Sequence, residues 1–336
     1  MDAGFVLAIG MALAFAFTNG FHDAANAIAT LVATRVARPG QAVVLAAFFN
    51  MLGPLLLGAA VAGTIAGIVH VQGQRHTIAV IGAAVTAAAV WNLFTWWRGL
   101  PSSSGHALIG GLVGAAILEA GGHAVNWGRM SGLKPEGVIG ALVALAASPL
   151  LGLGTGFVLE RSARRGLRRA TTRVAAPIRG GQWVTSSWLA FSHGANDAQK
   201  SVGVVFAILV ARNPSTSSAP LWVKAACAAT LTLGTALGGW RIVRTIGRRI
   251  FRVRPLDGLV VQASSASVIL AASFLGAPVS TTHVVASSVV GAGVGRRRRR
   301  HVGWPVLAEI LIAWLTTLPA AALLAASFLP LWRWLT

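Results

Sequence analysis

Ten apolar stretches occupy most of the chain and restrict it to a membrane fold. They cover residues 3–34, 40–66, 76–97, 103–120, 137–159, 183–211, 220–240, 257–275, 278–295 and 304–332. A helix of about 20 apolar residues crosses the hydrocarbon core of a bilayer. With 55% hydrophobic and only 11% charged residues, the chain also lacks the charged surface that a water-soluble domain needs. We predict an all-α integral membrane protein with about ten membrane segments.

The basic residues lie mainly on one side of the predicted membrane. If the N-terminus is outside, the inside gaps hold most of the Lys and Arg, in clusters at residues 161–179, 241–254 and 296–300, and the outside gaps hold only six. Lys and Arg collect in cytoplasmic loops, so both termini of this multi-pass protein are predicted to lie outside the cell membrane. The formal charge of +20 is therefore attributed to orientation and lipid contact, and no nucleic-acid partner is expected.

Two short motifs occur twice in the chain. His-Asp-Ala-Ala-Asn-Ala at residues 22–27 recurs as His-Gly-Ala-Asn-Asp-Ala at residues 193–198, and Pro101 and Pro278 each open a hydroxyl-containing run before a histidine. Because each copy would contain five segments, an odd number, the copies are predicted to be inverted repeats, as in many secondary transporters. The predicted units are a first repeat at 1–160, a basic cytoplasmic linker at 161–182 and a second repeat at 183–336. The proline–hydroxyl runs predict broken or re-entrant helices.

Each copy of the first motif contains a carboxylate and an amide. Asp23 and Asn26 are three residues apart, so they share a helical face and offer oxygen atoms to a small cation, and Asn196 and Asp197 offer the same pair. A charged side chain inside a membrane is costly unless it has a partner or a function. We predict that these four residues hold a coupling cation, as metal ligands if that ion is sodium. Four neighbours are predicted to support them: His22, His193, Gln199 and Lys200.

Two alternatives remain for these polar residues. The first is that Asp197 only pairs with Lys200 one turn along the helix, while the asparagines bond to neighbouring helices. The second concerns the four motif histidines, which are expected to occupy equivalent repeat positions and to donate to phosphate, relay protons or orient neighbouring groups, the last being favoured for His106 and His283. They are His22, His106, His193 and His283.

The two hydroxyl runs predict a site for a tetrahedral oxyanion. Each run follows a proline and precedes an apolar helical stretch, the order expected at a helix N-terminus. Free backbone N–H groups and the positive end of the helix dipole attract anions there. The alternative is ordinary N-capping and close helix packing. The predicted oxyanion-binding residues are Ser102, Ser103, Ser104, Ser280, Thr281 and Thr282.

Three segments resemble the signatures of the inorganic phosphate transporter (Pit) family: residues 19–27, 191–200 and 278–283. The likeness extends to residues 91–92 and 238–241 and covers nearly the whole chain. It implies secondary active uptake, with phosphate on the hydroxyl runs and a cation on the Asp and Asn residues. The likeness to low-affinity bacterial members implies proton coupling and carriage of free phosphate or a neutral metal–phosphate complex. Other relatives use sodium, and some carry sulfate.

The chain departs from the family pattern at two places. Gly105 stands where the family usually has a hydroxyl before the first histidine, so the roles of the three preceding serines can be shifted by one position. The long central hydrophilic loop of some relatives is replaced by the short basic linker. Regulation through such a loop is therefore not expected. The linker and Glu160 are expected to be solvated surface, and Asp257 to cap a helix.

We therefore predict a symporter that imports inorganic phosphate with a proton, or else with sodium, and that is not an enzyme and has no cofactor. A permease for sulfate or another tetrahedral oxyanion is the main alternative. An intramembrane Ser/His hydrolase is a remote one, since the chain has no Gly-x-Ser-x-Gly elbow. The single cysteine, Cys227, excludes an intramolecular disulfide. The sequence leaves a homodimer open.

Overall fold

The computed structural model describes residues 3–128, 130–131 and 134–336. Arg129, one of the six basic residues counted in the outside gaps, lies outside the described residues. This part of the chain contains the α-helices α1 Ala3–Ala33, α2 Pro39–Leu56, α3 Ala60–Ala66, α4 Gln74–Arg98, α5 Ser104–Ala120, α6 Gly137–Gly166, α7 Ala175–Arg212, α8 Leu221–Leu237, α9 Trp240–Arg244, α10 Pro255–Phe274, α11 Thr281–Gly295 and α12 Trp304–Leu335. Strands β1 Met130–Ser131 and β2 Lys134–Pro135 form one antiparallel hairpin. A π-helical turn, Thr245–Ile250, follows α9.

Each predicted apolar stretch is helical, which confirms the all-α fold. Most stretches correspond to one helix, but the second is divided into α2 and α3, and the seventh ends where α8 is followed by α9. Within the described residues, six helices are long and apolar enough to cross a membrane: α1, α2, α4, α6, α10 and α12. The pair formed by α8 and the helical turns after it, bent by 62°, would make a seventh. The number of ten membrane segments therefore stays a prediction.

The helix packing has an internal symmetry. Helix α11 packs on α6 as α5 packs on α12, α10 packs on α7 as α4 packs on α1, and α2 packs on α7 as α8 packs on α1. The segments from α1 to α6 thus have neighbours equivalent to those of the segments from α7 to α12, both within each set and between the two sets. This pattern supports two structural repeats, while their opposite orientation stays a prediction.

Close helix crossings define how the two repeats correspond. A Cβ atom on Gly20 of α1 would overlap the backbone of Leu231 in α8, and one on Gly194 of α7 would overlap the backbone of Asn50 in α2. Gly20 and Gly194 are separated along the chain by the same number of residues as Asp23 and Asp197. The same separation links Phe17 with Phe191, whose carbonyl groups face glycines of α8 and α2. The equivalent carboxylates are therefore Asp23 and Asp197.

This register corrects the expectation that the first-motif histidines are equivalent. With the carboxylates superposed, His22 corresponds to Asn196, Asn19 corresponds to His193, and Asn26 corresponds to Lys200. The histidines recur only at similar positions, because the glycine crossings, and not the histidines, determine how the helices align. His106 and His283 are equivalent, since each lies three residues after the serine that caps its helix.

Glu160 is not solvated surface, because α6 continues to Gly166 and carries it between other helices. Its side chain is fully buried and accepts a hydrogen bond of 2.5 Å from Arg164. Asp257 caps α10 as expected, by accepting from the Arg254 backbone N–H. It also accepts bonds of 2.8 Å from both Arg164 and Arg296. These ion pairs join α6 of the first repeat to α10 and the end of α11 in the second.

Candidate functional site

The carboxylates of the two repeats meet at one buried position. Asp23 on α1, Asp197 on α7 and His193 each offer a ligand atom, and these atoms lie within 4.8 Å of one another. The three residues are at most 2% exposed. Two buried carboxylates at this separation repel each other unless cations or hydrogen-bond donors stabilise them. The structure thus brings together the two halves of the predicted cation site.

The start of α11 supplies hydroxyl donors to both carboxylates. Thr281 Oγ1 donates to Asp197 Oδ2 over 3.1 Å, and Thr282 Oγ1 donates to Asp23 Oδ1 over 3.2 Å. Asn26 Nδ2 in turn donates to Thr282 Oγ1 over 2.9 Å. Two residues predicted for the oxyanion therefore contact three predicted for the cation. In this arrangement each threonine hydroxyl proton points to a carboxylate.

The two amide side chains of the predicted cation site leave their oxygen atoms free. Asn196 Nδ2 donates to Ser273 Oγ at 3.1 Å and to the carbonyl of Ala277 at 3.2 Å, while Asn196 Oδ1 is buried without a hydrogen-bond partner. Asn26 Oδ1 is also buried and without a partner. A buried carbonyl oxygen normally has a partner, so both oxygens are suited to bind a cation. Each of these oxygens lies on the same helix as one of the two carboxylates, Asn26 with Asp23 on α1 and Asn196 with Asp197 on α7.

Both predicted helix N-termini are capped by serine. Ser103 Oγ accepts the His106 backbone N–H at 3.2 Å, and Ser280 Oγ accepts the His283 backbone N–H at 3.3 Å. The capping alternative thus applies to these two serines, whose hydroxyl protons remain available to another acceptor. Ser104, the first residue of α5, is 1% exposed.

The two capped N-termini approach each other closely. The ring centroids of His106 and His283 are 4.9 Å apart, and the His283 ring stacks on Trp314 with centroids 3.6 Å apart. A Cβ on Gly105 would lie 3.5 Å from Lys200 Nζ, so the ammonium group borders the first turn of α5. Helix N-termini that approach in this way, beside a buried cation, are suited to a shared anion.

Ser102 connects the first hydroxyl run to the first motif. Its Oγ lies 3.3 Å from His22 Nε2 and 2.8 Å from Thr95 Oγ1 on α4. His22 Nδ1 lies 2.5 Å from Asp23 Oδ1. The prediction that His22 supports the carboxylate agrees with this geometry. The sequence analysis did not predict Thr95 as a site residue, because a single threonine in an apolar helix outside both motifs does not stand out.

Lys200 and Gln199 make different contacts. Lys200 Nζ donates to Asp197 Oδ1 at 2.6 Å and to the carbonyl oxygen of Val279 at 3.1 Å. Gln199 Oε1 accepts the Val61 backbone N–H at 2.9 Å and so supports the start of α3. The Asp197–Lys200 pair that the sequence offered as an alternative is therefore present within the site.

The sequence analysis did not predict several other buried polar residues near the motifs. Asn50 lies 3.1 Å from His193 Nδ1 through its side-chain oxygen and donates to Thr235 at 3.0 Å. Asn19, one turn before Asp23, and Asn92 on α4 are buried with both amide atoms unpartnered. The signal that could have found these residues is an amide inside an apolar helix, which is costly without a partner.

A model of the Phosphate transporter family matches residues 19–325 of the chain. A Bacillus subtilis protein named "Probable low-affinity inorganic phosphate transporter" is 39% identical, over 96% of this chain and 95% of its own length. A Rhizobium meliloti protein of the same name is 40% identical, over 97% of both chains. A solved structure named "The sodium-dependent phosphate transporter" is similar with a TM-score of 0.84 and 26% identity, over 98% of both chains.

Proposed function

Because the chain belongs to the Phosphate transporter family, we propose that it is a secondary active symporter that imports inorganic phosphate with a coupling cation. One observation supports this most strongly. Hydroxyls at the start of α11 donate to carboxylates from both repeats, so the proposed phosphate and cation ligands are in direct contact. A shared buried site of this kind is where binding of one ion can control binding of the other.

Competition for the threonine hydroxyls gives a mechanism for coupling. A proton or sodium ion at Asp23 and Asp197 takes up negative charge and oxygen lone pairs that otherwise accept from Thr282 and Thr281. The released hydroxyls can then donate to phosphate oxygens, beside the capped N-termini of α5 and α11. The cation also lowers the electrostatic cost of placing an anion near two carboxylates. Cation binding therefore precedes or accompanies phosphate binding.

The adjacent carboxylates favour phosphate over sulfate. Near neutral pH sulfate only accepts hydrogen bonds, whereas phosphate often retains a proton that it can donate. Asp23 and Asp197 lie one hydroxyl away from the proposed oxyanion position and can accept such a proton. Proton coupling is proposed ahead of sodium on the family likeness, with free phosphate or a metal–phosphate complex as cargo.

The hydrolase alternative has one geometric feature in its favour. Ser102, His22 and Asp23 are connected in the order of a serine hydrolase triad. However, Ser102 Oγ is closer to Thr95 than to His22, and the equivalent of Ser102 in the second repeat is Val279. We propose that the series positions Asp23. A serine-reactive fluorophosphonate should leave the purified protein unlabelled, and labelling at Ser102 would favour the hydrolase.

The symport proposal is tested by separating coupling from binding. In proteoliposomes, the parent should concentrate labelled phosphate when a proton gradient is imposed, and sulfate should compete poorly with it. Concentrative uptake driven by a sodium gradient alone would identify sodium as the coupling ion instead. Asp23→Asn should abolish concentrative uptake and retain slow phosphate exchange, because the capped helix N-termini remain. Concentrative uptake by Asp23→Asn at the parent's rate and coupling ratio would exclude Asp23 as a coupling residue.

A further inference from the structure

The two repeats differ in charge at one position of the shared site. Under the register given by the glycine crossings, the first repeat has Asp23 and Asn26, and the second has Asp197 and Lys200. The carboxylates match, but an amide in one half is replaced by an ammonium group in the other. Both residues lie one helical turn after their aspartate, on the same face.

Lys200 is an unusual residue for the interior of this protein. Among the residues that the structure describes, it is the only lysine or arginine that is buried, with 1% of its surface exposed. Its ammonium contacts a carboxylate oxygen of Asp197 at 2.6 Å and the backbone carbonyl oxygen of Val279 at 3.1 Å. Carboxylate and backbone carbonyl oxygens are also the ligands that hard metal ions take from proteins. The ammonium thus occupies a set of oxygens suited to a free cation.

The first half has no corresponding fixed charge. Each carboxylate has a histidine within 3.1 Å, His22 at Asp23 and His193 at Asp197, so the histidines do not distinguish the halves. Asn26 directs its NH₂ to Thr282 and leaves Oδ1 unpartnered. The half-site at Asp23 therefore has a carboxylate and a free amide oxygen, but no lysine or arginine to balance it.

We propose that the Lys200 ammonium is a resident cation that fills the second half-site in place of an ion from solution. The second half then takes up no coupling cation of its own, and the single ion proposed above between Asp23 and Asp197 is held by the first half, at Asp23 and Asn26. A site with two carboxylates and one ammonium needs one added positive charge to become neutral, whereas a site with two Asp-x-x-Asn halves needs two. This inference deepens the proposed function and rests on it, because it fixes how many cations accompany each phosphate.

The resident cation also explains why Lys200 borders α5. Gly105, in the first turn of α5, lies beside the ammonium, since a Cβ atom there would be in ordinary van der Waals contact with Lys200 Nζ at 3.5 Å. Val279, whose carbonyl accepts from Lys200, lies in the run that precedes α11. Lys200 therefore contacts or borders both proposed phosphate-binding segments, and its charge stabilises the anion in every transport cycle without leaving the protein.

Replacement of Lys200 by the residue of the first half tests the proposal. Purified parent, Lys200→Asn and Lys200→Arg proteins are compared for binding of labelled phosphate in choline buffer over a range of pH and in buffers of increasing sodium concentration. The parent and Lys200→Arg should respond alike to both cations, because both retain the charge. Lys200→Asn should bind phosphate about tenfold or more weakly in choline near neutral pH, and the coupling cation, proton or sodium, should restore binding with a steeper dependence than in the parent. Equal dependence of Lys200→Asn and parent on both cations would overturn the proposal.

A second variant keeps the test decisive if Lys200→Asn does not fold, which thermal unfolding will show. Asn26→Lys places a second fixed cation in the first half and should make phosphate binding insensitive to added cations, with loss of gradient-driven uptake. Cation-dependent binding by Asn26→Lys would contradict the proposal. The parent is measured first, and if it neither binds nor concentrates phosphate, the proposed function fails. If the parent is functional and Lys200→Asn depends on protons and sodium as the parent does, only the resident-cation proposal is refuted.

Discussion

Thr281 and Thr282 take part in both proposed binding events, since each lies at the start of α11 and donates to a carboxylate. The sequence predicted these residues from the proline–hydroxyl run and predicted the carboxylates from the other motif. It could not predict that the two sets touch, because the contact joins residues more than 250 positions apart in the case of Asn26 and Thr282. Only the packing of α1 and α7 against the start of α11 creates that contact.

Replacement of both threonines tests the hydroxyl contribution. Thr281→Val with Thr282→Val keeps the shape of the side chains and removes both donors, so phosphate binding should weaken by more than about tenfold if two bonds of roughly 1 kcal/mol are lost. Equilibrium binding to purified protein measures this change. Thr316→Val on α12, where an exposed threonine bonds only within its own helix, is the matched control and should bind as the parent does. Unchanged binding by a folded double variant would remove these hydroxyls from the site.

Helices were predictable from the length of each apolar stretch, and their crossings were not. The helix ends lie within a few residues of the predicted stretches for α1, α4 and α5, whereas α6 continues well beyond its apolar part. That extension carries Arg164, which donates to the buried Glu160 on its own helix and to Asp257 on α10. Such ion pairs depend on which helices are adjacent, and apolar patterns do not contain that information.

The crossing of α1 and α8 predicts a large cost for one methyl group. Gly20→Ala forces a Cβ into the backbone of Leu231 and should destabilise the protein by about 1–3 kcal/mol, the usual cost of overpacking. Gly10→Ala, on the same helix with open space around it, is the control and should be neutral or slightly stabilising. Thermal unfolding in detergent compares the two variants. Equal unfolding temperatures would show that the crossing is looser than described.

At the scale of the whole molecule, the arginine-rich segments that are predicted to lie on the cytoplasmic side are close to one another in the fold. Arginines near the end of α6 and after α11 line two neighbouring surface cavities of about 620 and 480 Å³, which share Arg161 and Arg297. Arg252 and Arg254, before α10, line a smaller cavity together with Arg296 and Arg298. This grouping agrees with the predicted orientation, in which those gaps share the cytoplasmic side. We therefore propose that the chain, with its repeats at 1–160 and 183–336, has both its N-terminus and its C-terminus outside the cell membrane.

Cysteine accessibility tests that orientation. The single native cysteine, Cys227, is fully buried and is first replaced by alanine. In that background, Ser217→Cys between α7 and α8 should react with a membrane-impermeant maleimide on intact cells. Arg168→Cys, between α6 and α7, should react only after permeabilisation, since its gap is predicted inside. The reverse pattern would invert the topology and leave the fold unchanged.

A lysine in one half at the position of an asparagine in the other requires two halves of different sequence. A transporter assembled from two identical half-length chains would place the same residue at both positions, and its shared site would contain two ammonium groups or none. Lys200 at the position equivalent to Asn26 therefore requires that the two halves be encoded separately, as they are in this chain. Each half of the site can then differ from the other by a single substitution.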